Sequence, residues 1–305
     1  MPLTQMPARL APILAFAGLL LSLPVCIGAA VAQPLDASAG PALRARYVEL
    51  QAKLANNAYG KPLYLVSSED GHELRGDVYA LVSAPFATAD AGFAEAASWC
   101  DVLILPFNTK HCIATKSGAA SGLAVRIGRK SDQPPQDAYK IDFRYRVLAR
   151  TPDYFRIALK SDEGPLGTRD YQITLEAIPV DAERTFIHLS YSYGFGVMSR
   201  LAMQAYLATA GRDKVGFTVI GKDSKGQPTH VGGMLGATER NTMRYYLAIE
   251  AYLNSLTAPP ESRVQKRLNE WFAATERYPR QLHEMDRGQY LAMKTRETSR
   301  VGAAL

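Results

Sequence analysis

The histidines of this 305-residue chain are the side chains best suited to bind a metal, yet their spacing does not support a metal site. No H-x-H or H-E-x-x-H pattern occurs, and the run from His283 to Met285 lacks the second histidine of a zinc-binding helix. There is also no G-x-S-x-G nucleophile turn and no glycine-rich phosphate loop. The five histidines are His72, His111, His188, His230 and His283. We therefore expect neither a metal nor a cofactor.

His188 has the position most suggestive of chemistry. It lies in a predicted strand with Ser190 and Ser192 on the same face, so it could be a general base if that face lined a pocket. The alternative places Ile187 and Leu189 inward and leaves His188 towards solvent. A buried His188 beside a cavity would favour an enzyme of the cyclase or dehydratase type, and an outward-facing His188 would remove that role.

Tyrosine is abundant, with 16 residues against 10 phenylalanines and 2 tryptophans. A tyrosine ring combines apolar area with one hydroxyl, which suits a cavity for an amphipathic ligand, although ordinary sheet packing explains any single ring equally well. Near the predicted start of the longest helix, Glu239, Arg240 and Arg244 could hold a ligand headgroup or could form a solvated first turn. The predicted ligand-binding residues are Tyr145, Tyr171, Tyr191, Tyr193, Tyr246 and Arg240.

The first 32 residues have the pattern of a secretory signal peptide. Arg9 precedes an apolar run over residues 10–25, and Ala30-Val31-Ala32 provides small residues before Gln33. The apolar run is shorter than the roughly 20 residues that span a membrane, so a retained anchor is the weaker alternative. We expect cleavage near Ala32 and a periplasmic or secreted protein.

Three cysteines fit this expectation. Cys26 follows a sequence that loosely resembles a lipobox, but Val25 stands where a small residue is needed, so we expect Cys26 to leave with the signal. Cys100 and Cys112 remain as a pair, and in an oxidising compartment they predict a disulfide. Closing a loop of about 13 residues would stabilise the fold by roughly 3 kcal/mol in the chain-entropy model. Two thiols alone are a poor zinc site.

The elements that must position these residues follow from periodicity and turn signals. A helix is predicted over 42–58, a hairpin turns at Asp70-Gly71, and an alanine-rich helix spans 88–99. Alternating strands with short turns between 110 and 193 predict an antiparallel meander. The remaining predictions are a helix over 197–210, a strand over 214–221, a long helix over 238–256 capped by Thr238, and helices over 261–274 and 281–297.

Four short segments carry a family resemblance: GDVYALVSAPF at 76–86, Trp99 with NTK at 108–110, DYQITL at 170–175, and the helix from Thr238. With the order of elements between 63 and 256, they resemble the START-like helix-grip superfamily, which includes StAR-related lipid-transfer domains, polyketide cyclases and plant pathogenesis-related allergens. The resemblance implies an α+β fold in which a curved antiparallel sheet wraps around a long C-terminal helix. It also implies an apolar cavity between sheet and helix, with the helix over 197–210 similar to a lid-forming insertion. Helices after residue 256 have no counterpart in the superfamily.

These observations predict three segments: a signal peptide over 1–32, a START-like ligand-binding domain over 33–258 and a C-terminal helical extension over 259–305. The expected function is an exported binding or transport protein for a lipid or other apolar small molecule. An enzyme of the cyclase type and a non-catalytic structural or interaction protein are the alternatives. The formal charge of +6 is modest for this length, so a nucleic-acid partner is not expected.

The C-terminal extension carries nine basic and six acidic residues after residue 260. Val264, Leu268, Trp271 and Phe272 share one face of its first helix, and basic residues lie opposite. Such a helix could make peripheral contact with an anionic membrane, or it could dock on the domain, which we favour because Trp271 and Phe272 need cover.

Overall fold

The computed structural model describes residues 38–208 and 213–301. The predicted signal peptide and Cys26 lie outside these residues. Among the described residues, no helix has both the length and the hydropathy required to cross a bilayer.

One large antiparallel sheet forms the frame of the molecule, with strand order β1-β2-β8-β7-β6-β5-β4-β3. A hairpin turn at Gly71, where φ is +56°, joins the first two strands, and the predicted meander forms the other six. The strands are β1 (Leu63–Asp70), β2 (Glu73–Val82), β3 (Thr109–Ser117), β4 (Ala120–Ile127), β5 (Tyr139–Thr151), β6 (Tyr154–Glu163), β7 (Arg169–Pro179) and β8 (Thr185–Gly194). A separate small hairpin contains β9 (Val219–Lys222) and β10 (Pro228–His230).

Helices cover both faces of the sheet. They are α1 (Ala39–Ala55), α2 (Phe86–Gly92), α3 (Ala96–Leu103), α4 (Val197–Ala208), α5 (Gly233–Ser255), α6 (Pro260–Thr275), α7 (Pro279–Leu282) and α8 (Arg287–Val301). On the outer face, Leu43, Leu50 and Leu54 of α1 pack on Ile178 and Phe186. On the inner face, α5 packs against β1, β2 and β8.

The contact between α5 and the sheet depends on one glycine. A Cβ at Gly76 of β2 would overlap the Thr242 hydroxyl and would lie 3.1 Å from Thr242 Cβ and 3.3 Å from Thr238 Cγ2. Since such distances are shorter than normal van der Waals contact, the helix can approach the strand this closely only at a residue without a side chain. The predicted helix-grip α+β fold is therefore confirmed by the sheet order and by the long helix that lies on the sheet.

The C-terminal helices are part of the core. Trp271, Leu268 and Tyr290 are fully buried and Phe272 is nearly so, and the Trp271 indole donates to the Arg244 carbonyl at 3.0 Å. The expected docking of this extension is thus what the structure shows. In the alternative, this apolar face would contact a membrane, but its aromatic rings pack against α5, α8 and Phe107. Peripheral membrane contact through the basic side chains of these helices stays a prediction.

Several predicted elements differ in extent. Thr238 does not cap the long helix, which begins five residues earlier at Gly233, and its hydroxyl donates to the Met234 carbonyl at 3.0 Å. The alanine-rich helix is divided into α2 and α3, and the strand over 214–221 is reduced to the short β9. The last predicted helix is interrupted between α7 and α8. These differences fall at glycine-rich or irregular segments where periodicity carries little information.

The predicted disulfide is present. Cys100 of α3 and Cys112 of β3 are bonded, with their Cα atoms 5.2 Å apart. The bond ties the short helices between β2 and β3 to the edge strand of the sheet.

Candidate functional site

A pocket of about 880 Å³ lies between the segment over 128–132, which follows β4, and the helix α8. Its floor is apolar, formed by Met285, Ala292 and Met293. One wall is basic and contains Lys130, with Glu284 beside it. The pocket thus offers an apolar surface and a charged wall to the same ligand.

The charged wall is a centre in which three cations surround one carboxylate. Lys130 Nζ and Arg244 Nη2 each lie 2.6 Å from Glu284 Oε1, and Lys214 Nζ lies 3.8 Å from Glu284 Oε2. The Arg244 and Glu284 side chains are 7% and 9% exposed, whereas Lys130 is 33% exposed. We refer to Lys130, Lys214, Arg244 and Glu284 as the cationic centre.

Electrostatics in this centre favour the ionised carboxylate. Burial acts to raise the pKa of Glu284, but Arg244, Lys130 and Lys214 outweigh it, and the pKa is lowered. The pKa of Lys130 is also lowered, first by burial and then by repulsion from Arg244 and Arg240. The attraction of Glu284 raises this pKa but does not outweigh the other effects. The cationic centre thus places three basic side chains around one ionised carboxylate.

The rim of the pocket is also charged. Asp132 and Arg296 form an ion pair of 2.8 Å that joins the 128–132 segment to α8, and both side chains are about half exposed. Arg129 is exposed and lines the pocket, and its guanidinium has no hydrogen bond or ion pair with the residues that the structure describes. The rim therefore holds two basic side chains, Arg129 and Arg296, and one acidic side chain, Asp132.

Backbone hydrogen bonds hold the 128–132 segment in place. The Gly128 amide donates to the Asn108 carbonyl at 2.7 Å, and the Arg129 amide donates to the Gln133 side chain at 2.7 Å. Gln133 in turn donates to the Asp137 carbonyl at 2.7 Å. The segment is therefore an ordered wall of the pocket although it lacks helix or strand.

Three of the predicted ligand-binding tyrosines lie together, but not in this pocket. Tyr171, Tyr191 and Tyr193 have ring centroids 5.3 to 6.3 Å apart, and Tyr245 of α5 lies 5.2 Å from Tyr191. The Tyr171 hydroxyl is 2.9 Å from the Thr168 hydroxyl, and burial raises the pKa of Tyr245 to about 12. These rings make contact between the sheet and α5, where the family resemblance implied a cavity.

The other three predicted residues are dispersed. The Tyr145 hydroxyl donates to the Phe93 carbonyl at 2.8 Å, and Tyr145 lines a separate pocket of about 370 Å³ near the turn between β3 and β4. Tyr246 is fully buried beside Glu250. Arg240 is also buried, and its charge acts on Lys130 and Lys214. Arg240 is therefore near the cationic centre. Tyr246 lies in the core, and Tyr145 lines a different pocket.

The solvated first turn that we considered for α5 is wrong. Glu239, Arg240 and Arg244 are all buried, and they lie inside α5 because the helix begins earlier, at Gly233. The Glu239 carboxylate accepts from the amides of Phe217 and Thr218 at 2.5 and 2.9 Å. Glu239 therefore fixes the segment before β9 on α5.

His188 lies on the outer face of the sheet, opposite to the face that contacts α5. Its Nε2 is 2.8 Å from Asp77 Oδ1, its Nδ1 is 2.7 Å from Glu176 Oε1, and its ring stacks on Tyr79 at 4.2 Å. Burial lowers the pKa of His188, but hydrogen bonds to Asp77 and then Glu176 raise it more, so the net change is upward. The ring lines none of the pockets described above, and the role of a pocket base is removed.

Of the cationic centre, sequence reasoning singled out Arg244 but missed Lys130, Lys214 and Glu284. Lys130 and Arg129 lie in GRKSDQPP at 128–135, which reads as a loop, and Glu284 was noticed only as part of an incomplete zinc motif. A pair of basic residues in a loop was the one available signal. Within the parts of the chain that the structure describes, no group of His, Cys, Asp and Glu side chains could hold a metal ion.

Comparison with known proteins gives similarity at the level of the fold. No protein-family model and no curated protein matches the chain. An aromatase/cyclase from Streptomyces sp. R1128 is 16% identical, with 68% of this chain and 95% of that chain covered and a TM-score of 0.33. Norcoclaurine synthase from Thalictrum flavum, in complex with dopamine and hydroxybenzaldehyde, is 13% identical over 49% and 80% of the two chains, with a TM-score of 0.30. A major latex-like protein from Panax ginseng is 14% identical over 47% and 95%, with a TM-score of 0.29.

Proposed function

We propose that this protein binds a small amphipathic molecule in the pocket between the 128–132 segment and α8. The observation that carries the proposal is the combination of an apolar floor and a basic wall in a pocket of about 880 Å³. Small-molecule sites commonly have volumes of roughly 300 to 1,000 Å³, are mostly apolar and contain a few polar groups that orient the ligand. Met285, Ala292 and Met293 supply the apolar part, and Lys130 is among the polar groups.

The proposal keeps the expected class of partner but changes the site. The sequence predicted a ligand between the sheet and the long helix, surrounded by tyrosines. In the structure, Tyr191 and Tyr245 meet across that space, and Gly76 brings the helix against the sheet. The C-terminal helices instead supply one side of the pocket, so the extension contributes to binding.

We further propose that the protein acts outside the cytoplasm, after removal of the signal peptide near Ala32. The disulfide between Cys100 and Cys112 supports this, because disulfides persist in oxidising compartments. N-terminal sequencing of the protein recovered from the medium or the periplasm tests it, and a chain that retains residues 1–32 contradicts it.

Binding can be tested with two probes that have the same alkyl chain, dodecanoate and 1-dodecanol, in titration calorimetry below their aggregation concentrations. Ala292 is exposed in the pocket, so Ala292→Trp should fill the site and abolish binding without affecting the core. Thr295→Trp is the matched control, because Thr295 is exposed on the same helix and does not line the pocket.

We expect the unmodified chain and Thr295→Trp to bind at least one of the probes and Ala292→Trp to bind neither. The proposal is wrong if no probe binds and no small molecule is found by native mass spectrometry of the purified protein. It is also wrong if Ala292→Trp binds as well as the unmodified chain.

A further inference from the structure

We propose that the ligand carries an acidic group and that this group binds to Lys130 at the cationic centre, beside Glu284. The inference rests on the proposed function, because it concerns the same pocket. It assigns a ligand class, an amphiphile with a carboxylate at one end, and gives the orientation in which that ligand enters.

Three cations gather around one carboxylate at the wall of the pocket. Lys130, Lys214 and Arg244 all lie within 3.8 Å of Glu284. The charge of Arg240 reaches the same centre and lowers the pKa of both Lys130 and Lys214. A ligand anion beside Lys130 would be attracted by these cations, whereas a neutral ligand would not.

The cationic centre has hydrogen-bond donors to spare. Lys130 and Arg244 both contact the same oxygen of Glu284, Oε1, and Lys214 lies 3.8 Å from Oε2. An ammonium group has three N–H donors, and the Lys130 contact with Glu284 uses one of them. Because Lys130 is 33% exposed and lines the pocket, the other donors can reach an acid in the pocket.

The apolar floor of the pocket lies beside the cationic centre. Glu284 is followed directly by Met285, and Met293 lies on the adjoining helix, so the alkyl part of a ligand can lie on these side chains while its acid reaches Lys130. At the rim, Arg129 adds one more basic side chain, while Arg296 is paired with Asp132. A small inorganic anion would use the charges but leave the apolar floor exposed, so we assign an acidic amphiphile.

The two probes with the same alkyl chain test the inference directly. Charge-assisted hydrogen bonds are stronger than neutral ones, so we expect the unmodified chain to bind dodecanoate about tenfold more tightly than 1-dodecanol. Lys130→Met should reduce dodecanoate affinity about tenfold and leave 1-dodecanol affinity unchanged. Lys160→Met is the control, because Lys160 is exposed on β6 and lines none of the pockets described above, and it should change neither affinity.

A second variant makes the cationic centre more positive, whereas Lys130→Met makes it less positive. Glu284→Gln removes the one carboxylate from the centre and should raise dodecanoate affinity relative to 1-dodecanol. Inorganic phosphate is the third probe, and we expect it to compete weakly with dodecanoate because it gains nothing from the apolar floor.

The outcomes separate the inference from the proposed function. If neither alkyl probe binds, the proposed function fails. If both bind equally well and Lys130→Met changes neither affinity, the pocket is a binding site but the acid assignment is wrong. If inorganic phosphate binds as tightly as dodecanoate, the site is a simple anion site and the amphiphile assignment is wrong.

Discussion

The Nζ of Lys110 on β3 lies 3.0 Å from Oε1 of Glu297 on α8, and both side chains are completely buried. The second oxygen of Glu297 accepts from Lys294 Nζ at 2.7 Å. The amines also donate to the carbonyls of Phe107 and Thr109, at 2.8 and 2.7 Å. Because Lys110 Nζ is 3.6 Å from the sulfur of Met293, this triad lies directly behind the floor of the pocket.

Removing the carboxylate of this triad should be strongly destabilising. Glu297→Gln leaves two buried lysines without an anionic partner, and breaking a buried ion pair in this way costs about 3 to 5 kcal/mol. We expect a loss of this size in the free energy of unfolding, measured by urea denaturation. Asp132→Asn is the control, because its pair with Arg296 is exposed and should contribute less than about 1 kcal/mol. If Glu297→Gln and Asp132→Asn lose similar amounts of unfolding free energy, the buried carboxylate does not stabilise the two lysines as described.

The histidine on the outer face should make stability depend on pH. Asp77 and Glu176 raise the folded-state pKa of His188 above its ordinary value of 6.5 despite burial, so its stabilising contribution is complete below pH 6.5. That contribution is lost as the pH rises through the folded-state pKa. The pKa of Asp77 is lowered to about 2, because His188 and Arg75 outweigh the effect of burial, so Asp77 stays ionised throughout this range.

We therefore expect the difference in Tm between the unmodified chain and His188→Gln to be largest at pH 5.5 and to decrease by pH 9. Ile178→Val removes one buried methyl group near α1 without changing a titrating group, so its difference in Tm should be constant over this range. A His188→Gln difference that does not vary with pH would show that the two carboxylates do not hold the proton on the ring.

Much of the fold follows from the sequence, for a physical reason. Each strand alternates between two chemically different environments, so residues such as Ile187 and Leu189 face α5 while His188 faces outward. This alternation is local and is visible in any short segment. The disulfide was also predictable, because only two cysteines remain after the signal peptide.

The site could not be predicted in the same way, because it depends on long-range packing. Lys130 and Glu284 are separated by 154 residues, and their contact requires the C-terminal helices to fold back on the sheet. Each residue alone resembles an ordinary surface charge. For the tyrosines, composition reveals their amphipathic character but not whether Tyr191 and Tyr245 meet each other or leave a cavity.

The close approach of α5 to the sheet should not tolerate a methyl group at Gly76. Gly76→Ala would force the added Cβ against Thr242, and overpacking of this kind costs roughly 1 to 3 kcal/mol. Thr242→Ala removes the overlapping hydroxyl, so the double variant should recover part of the loss, as measured by urea denaturation. Gly221→Ala is the control, because a Cβ there has open space and no positive φ, and the change should stay within about 0.5 kcal/mol. If the two glycine variants are equally stable, the contact is not as close as described.

Finally, the chain should not fold without its C-terminal helices. A chain that ends at Ala258 loses the fully buried side chains of Trp271 and Tyr290 and exposes Phe107, which packs against both rings at 5.0 and 5.3 Å. We expect this truncated chain to aggregate or to lose its cooperative thermal transition.

In the intact chain, Trp271→Ala should cost about 3 to 5 kcal/mol. Val264→Ala, at a partly exposed position of the same helix, should have a much smaller effect. A membrane-surface role predicts the reverse: the truncated chain keeps a cooperative transition and loses only its salt-sensitive binding to anionic vesicles. Because that role needs Trp271 and Phe272 on the outside, a cooperatively folded truncated chain would be the result that contradicts their place in the core.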